Sequence, residues 1–232
     1  MQSLFRFFAI VISVSVAPCA TVWTDWTSAT LGANGGGSAT GSLGSVGVSY
    51  SGELDGFVIN GTSSIWAPNS SFIGGTVTAS PSTVGDDLRI NGTFTGTSTI
   101  TFDQPVINPV LAIWSLGQPG LAASFTFNRT PTLQAGGPNA NFGGSSISVN
   151  GNTVNGNEGN GVIQFDGSIT FISFTTTPEN FYAFTVGLNG GPTAIPEPGS
   201  FVLFCAGAAL LLLKACGTDR RSRSVKHRHP AR

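Results

Sequence analysis

Between residues 21 and 194 the chain reads as short stretches in which apolar and small polar residues alternate, separated by turn-forming pairs. Val46, Val48 and Tyr50 share one face of such a stretch, as do Ile100 and Phe102, Phe125 and Phe127, Ile147 and Val149, and Tyr182, Phe184, Val186 and Leu188. A two-residue period is that of a strand with one buried face, because successive side chains point to opposite sides of a sheet. Residues 110–114, Val-Leu-Ala-Ile-Trp, are apolar at every position and predict a central strand covered on both faces. Asn-Gly at 34–35, 60–61, 91–92, 150–151, 155–156, 160–161 and 189–190, with Asp-Gly at 55–56 and 166–167, offers the positive φ that tight hairpin turns need. No stretch before residue 199 carries a 3.6-residue period, and no internal repeat of fixed length recurs. The pattern predicts an all-β domain over 21–194, a β-sandwich of jelly-roll type. The Gly/Ser/Ala/Asn-rich segments 32–44 and 134–146 are expected to be solvated connections.

The two ends have a different pattern. Arg6 is followed by an apolar run over 7–17, broken only by Ser13 and Ser15, and then by Ala17, Cys19 and Ala20. That three-part layout is a secretory signal peptide over residues 1–20, with cleavage expected after Cys19 or Ala20. Residues 201–213 are apolar without interruption. Taken as a helix from 199 to 217, with Lys214 reaching for the headgroups, the span is about 28 Å long and nearly matches a bilayer core.

Charge is sorted along the chain. From Thr21 to Pro198 there are ten acids against Arg89 and Arg129, whereas residues 214–232 hold seven Lys and Arg against Asp219. The basic cluster, with Arg220, Arg221 and Arg223 at its centre, directs a cytoplasmic tail over 218–232 and an exported domain on the other side. Only 9% of the residues are charged, while Gly, Ser, Thr and Asn abound, so the domain's surface is rich in hydroxyls and amides. An acidic domain without lysine offers nothing to a phosphate backbone, which argues against nucleic-acid binding.

Ile195-Pro196-Glu197-Pro198 lies immediately before the apolar span. The two prolines remove backbone donors and hold the segment extended. A Pro-Glu-Pro triplet, a short apolar helix and an arginine-rich end resemble the PEP-CTERM sorting signal over residues 195–228. The segment 23–30, Trp-Thr-Asp-Trp-Thr-Ser-Ala-Thr, is also similar to the start of many such exported proteins. The resemblance implies processing by an exosortase-type enzyme in a bacterium that makes exopolysaccharide. It implies inner-membrane anchoring before processing, then the cell surface or matrix.

Candidate chemistry is narrowed by what residues 21–194 lack. Both histidines, all three cysteines and both lysines lie outside them. A Ser-His-Asp triad, a Cys-His pair, a His- or Cys-ligated zinc and a lysine Schiff base are therefore excluded within the domain. No cofactor or metal is expected. Carboxylates remain: Asp86 and Asp87, Glu53 with Asp55, Asp103, Glu158, Asp166 and Glu179 could supply a glycosidase pair, although their spacing selects none. Adjacent Asp86 and Asp87 should face opposite sides of a strand, as solvated acids near turns. The loop 150–160 has amide oxygens but a single acid, Glu158, which is poor provision for calcium. Trp66, beside Ala67-Pro68, is the candidate platform for a sugar ring, and Trp114 is expected in the core. Trp23 and Trp26, three positions apart, should face opposite sides of one strand. The sequence favours a non-catalytic surface protein that binds polysaccharide; the alternative is a carboxylate-dependent polysaccharide hydrolase or lyase. Ice or mineral binding would need a flat, regular threonine array, for which the sequence shows no strict repeat.

Overall fold

A computed structural model describes residues 20–61, 63–82 and 85–190. The signal-peptide, sorting-motif, membrane-span and tail readings, including Pro196, Glu197, Pro198, Arg220, Arg221 and Arg223, lie outside them. Among the described residues no helix is long and apolar enough to cross a membrane.

The described chain is all-β, with two antiparallel sheets stacked as a sandwich. Strands are numbered in chain order. The first sheet runs β10 (Thr132–Gly136), β14 (Gly159–Gln164), β8 (Pro109–Leu116), β16 (Tyr182–Leu188), β6 (Asp87–Ile90), β5 (Gly56–Val58). The short β1 (Val22–Trp23) also pairs with β16, and β11 (Ser145–Ser146) lies parallel to β14. The second sheet runs β12 (Ser148–Asn150), β13 (Thr153–Gly156), β9 (Ala123–Phe127), β15 (Ser168–Thr176), β7 (Ser98–Ile107), β4 (Val46–Glu53), β3 (Gly36–Leu43), β2 (Asp25–Leu31). Alternation places Tyr50, Ile100, Phe102, Phe125, Phe127 and Phe174 of the second sheet against Leu111, Ile113, Phe184 and Val186 of the first, and all are buried.

The outer face of the first sheet is covered too. Ile65, Trp66, Phe72 and Val77, from the segment between β5 and β6, pack with Val110, Ala112, Trp114, Val162 and Ala183. This second cluster is why β8 is apolar on both sides, as its sequence predicts, and it holds Trp114 at 2% exposure.

Two connections expected from composition are in part strands, with 33–35 and 137–144 remaining outside them. Residues 36–43 form β3, between β2 and β4. Glycine there serves close approach rather than looseness: a side chain at Gly41 would collide with the Asp25 carbonyl of β2. Likewise Gln134–Gly136 belong to β10 and Ser145–Ser146 to β11.

Candidate functional site

Trp66 cannot serve as a sugar platform. It closes a single 3-10 turn, Ser64–Trp66, and is fully buried, with its ring edge-on to Phe72 at 5.3 Å. The apolar outer face of the first sheet requires a cover, and an indole supplies more buried area than any other side chain.

Four of the candidate acids are buried rather than solvated: Glu53, Asp86, Asp87 and Glu158. Glu53 Oε1 accepts the backbone N–H groups of Thr93 at 2.9 Å and of Asn91 and Phe94 at 3.3 Å, while Oε2 accepts the Thr176 hydroxyl at 3.0 Å. Asp87 accepts the Ser63 hydroxyl at 2.9 Å and pairs with Arg89 Nε at 2.8 Å. Asp86, on the other side, accepts the N–H of Trp26 and that of Asn60, each at 2.8 Å. These anions act first as anchors for loops and strand ends.

Asp86 also faces a cleft of about 200 Å³ lined by Trp23, Thr24, Asp25, Asn60, Pro81, Gly85 and Thr185, with Ser82. The cleft forms where the chain leaves β1 of the first sheet and enters β2 of the second, with Thr24 between them. Trp23 and Trp26 thus belong to different strands. Trp26 is buried in the core, whereas Trp23 is half-buried at the cleft. The Trp23 ring lies against Gly187, where a side-chain carbon would come within 2.7 Å of Cε3, and its indole N–H donates to Ala79 O at 2.9 Å. Burial raises the Asp86 pKa, the Asn60 and Trp26 N–H groups oppose that, and Asp25 and Asp87 add to it. Trp23 was legible only as part of a Trp-Thr-Asp-Trp run; nothing local marked it above Trp66.

A second polar group closes the end of the first sheet where β8 finishes and β14 and β16 begin. Ser115 (φ 57°) and Glu158 (φ 60°) are both left-handed. Ser115 donates its hydroxyl to Glu158 Oε1 and its N–H to Asn160 Oδ1 at 2.8 Å, and Asn139 Nδ2 donates to the same oxygen at 3.0 Å. The register slips between Gly159 and Gly161, so Trp114 faces outward while Leu116 turns into the core. Glu179, just before β16, is half-buried, and its pKa is pushed up to about 7 by burial and by the charge of Glu158, against the N–H groups of Phe181 and Asn180. Phe142 and Phe181 flank Trp114 at 5.5 and 5.7 Å. Among the described residues no three of His, Cys, Asp and Glu gather as a metal cluster.

Glu179 gives a prediction with a defined sign. The folded chain holds this proton more tightly than the unfolded chain, whose value is the ordinary 4.5. The contribution to stability is therefore present at low pH and is lost as pH rises from about 4.5 towards 7. The urea midpoint of the wild type should fall more between about pH 5 and about pH 7.5 than that of Glu179→Gln, which cannot ionise. Equal falls would show that Glu179 does not titrate there.

Compared with protein-family models, curated proteins and solved structures, the chain matches none.

Proposed function

We propose that the chain is an exported cell-surface or matrix protein, sorted by an exosortase-type enzyme through Pro196-Glu197-Pro198. Its sandwich is a non-catalytic, polysaccharide-binding jelly roll. Support for the jelly roll is the nesting of the pairs β7–β15, β8–β14 and β9–β13, with successive strands crossing from one sheet to the other. Support for export is the signal peptide, the apolar span and the basic tail of the sequence.

The observation that carries the binding reading is the outward face of the second sheet. Strand register aligns Thr30, Ser38, Ser51, Thr99 and Ser173 in one row across five strands, and Ser28, Thr40, Ser49, Thr101 and Phe171 in the next. Neighbouring strands stand about 4.8 Å apart, and residues two apart on a strand about 7 Å. Nine hydroxyls and one aromatic ring therefore form two ordered rows without a charge, a surface suited to the hydroxyls of neutral glycan chains. The rows mix Thr, Ser and Phe171, which separates them from the regular threonine array that ice or mineral would require.

Two carboxylates at the Trp23 cleft favour the second reading, a hydrolase or lyase, but each Asp86 oxygen accepts a backbone N–H and keeps a single lone pair, which suits holding a ligand hydroxyl more than attacking or protonating a glycosidic bond. Co-sedimentation of the full chain with insoluble neutral polysaccharides tests the binding. The double variant Thr40→Glu, Thr101→Glu should bind several-fold less while its unfolding midpoint barely moves, as is usual for surface changes within about 0.5 kcal/mol. Unchanged binding would dismiss this face, and release of new chain ends by the wild type would establish the enzyme instead. Intact mass of the protein from its native envelope tests the sorting: full-length mass at both ends contradicts it.

A further inference from the structure

We propose that the cleft between Trp23 and Asp86 binds a single neutral sugar ring of a polysaccharide chain, a subsite that rests on the binding function above. At about 200 Å³ it is smaller than the roughly 300–1,000 Å³ clefts that enclose drug-sized ligands, which suits one ring rather than an extended segment. Trp23 and Pro81 supply apolar walls for the C–H face of a sugar, and Thr24, Asn60, Asp25, Asp86 and Thr185 supply the polar edge. The lining is fixed before a ligand arrives. Trp23 is pinned by Ala79 O and seated on Gly187. Thr24 donates its hydroxyl to Val186 O at 2.7 Å, so its oxygen remains an acceptor. Thr185, buried behind the cleft, accepts the Trp26 indole N–H on Oγ1 at 3.3 Å and fixes the floor of the lining.

Asp86 selects the ligand's charge. Each of its oxygens accepts one N–H and keeps a lone pair, which fixes the carboxylate plane for a ligand hydroxyl. The same two N–H dipoles, pointing at the oxygens, weaken their hold on a bare cation. Asp25 at the same cleft repels an acidic sugar. Neutral hexoses and their N-acetylated forms are what remains.

The test is calorimetry on the full chain in detergent micelles, with glucose, galactose, mannose, N-acetylglucosamine, glucuronate and calcium as separate probes. One of the neutral sugars should bind with single-site saturation and glucuronate should not. Trp23→Ala should weaken that binding at least tenfold, and the exposed change Asp25→Asn several-fold. If Trp23→Ala does not fold, by circular dichroism, Trp23→Phe takes its place and Asp25→Asn stands alone. Sugar binding unaltered in these variants, or calcium binding that Asp25→Asn abolishes in place of sugar binding, overturns the subsite. Polysaccharide co-sedimentation without any monosaccharide binding overturns the subsite and leaves the binding function standing. Failure of both withdraws the two together.

Discussion

Phe174→Ala should lower the unfolding free energy by about 3–5 kcal/mol, the cost of deleting a buried ring whose neighbours cannot collapse into the space. Phe174 lies on β15 at 1% exposure, with ring centroids of Phe125 at 5.1 Å, Phe127 and Phe184 at 5.6 Å and Tyr50 at 6.4 Å. These rings come from both sheets, so the cavity would open where the layers meet. A domain of this size is stable by only about 5–15 kcal/mol, so the urea midpoint should drop by a large fraction at unchanged slope. Phe171, three residues earlier and 45% exposed on the outer face, is the control, and Phe171→Ala should stay within about 0.5 kcal/mol. Equal effects at the two positions would mean that the sheets do not face each other as described.

Glu53→Leu should cost about as much, 3–5 kcal/mol, for an electrostatic reason. The side chain is 1% exposed at the end of β4 and gathers three backbone N–H groups of the turn 91–94 on one oxygen and the Thr176 hydroxyl on the other. Leucine has a similar volume but removes that acceptor from the half-buried Asn91 and Phe94 N–H groups and the Thr176 hydroxyl, while the Thr93 N–H keeps only Asn91 Oδ1 at 3.1 Å. Glu53→Gln keeps a carbonyl oxygen for the three N–H groups and offers its amide N–H to the Thr176 oxygen, so its cost should be about 1–2 kcal/mol. The comparison by urea unfolding separates hydrogen-bond acceptance from packing. If the leucine variant is as stable as the glutamine variant, the anchor is not what holds this turn.

The acids illustrate how far residue type misleads. Glu53, Asp86, Asp87 and Glu158 sit near turns in the sequence, where acids are ordinarily solvated, yet each is drawn inside by donors distant in the chain. Trp66 and Trp23 are the converse pair. Both stand beside loop residues, and only the cover needed by the outer face of the first sheet decides that Trp66 is consumed while Trp23 stays at a cleft. The Asn-Gly pairs divide as well. Gly92, Gly151 and Gly190 take the positive φ of a turn, but Gly161 lies within β14, where a side chain would strike the Ala135 carbonyl of β10.

What the chain's order of residues determined alone is local: the two-residue period that makes strands, the double-sided apolar run of β8, and the missing His, Cys and Lys between 21 and 194. Strand order and register belong to the tertiary structure, and with them the hydroxyl rows, the buried anchors and the cleft. The physical reason is reach. Alternation is set by the geometry of each residue and its neighbours, whereas Asp86 meets Trp26 and Glu53 meets Thr176 across 60 and 123 positions, contacts that exist only once the sheets have paired and stacked.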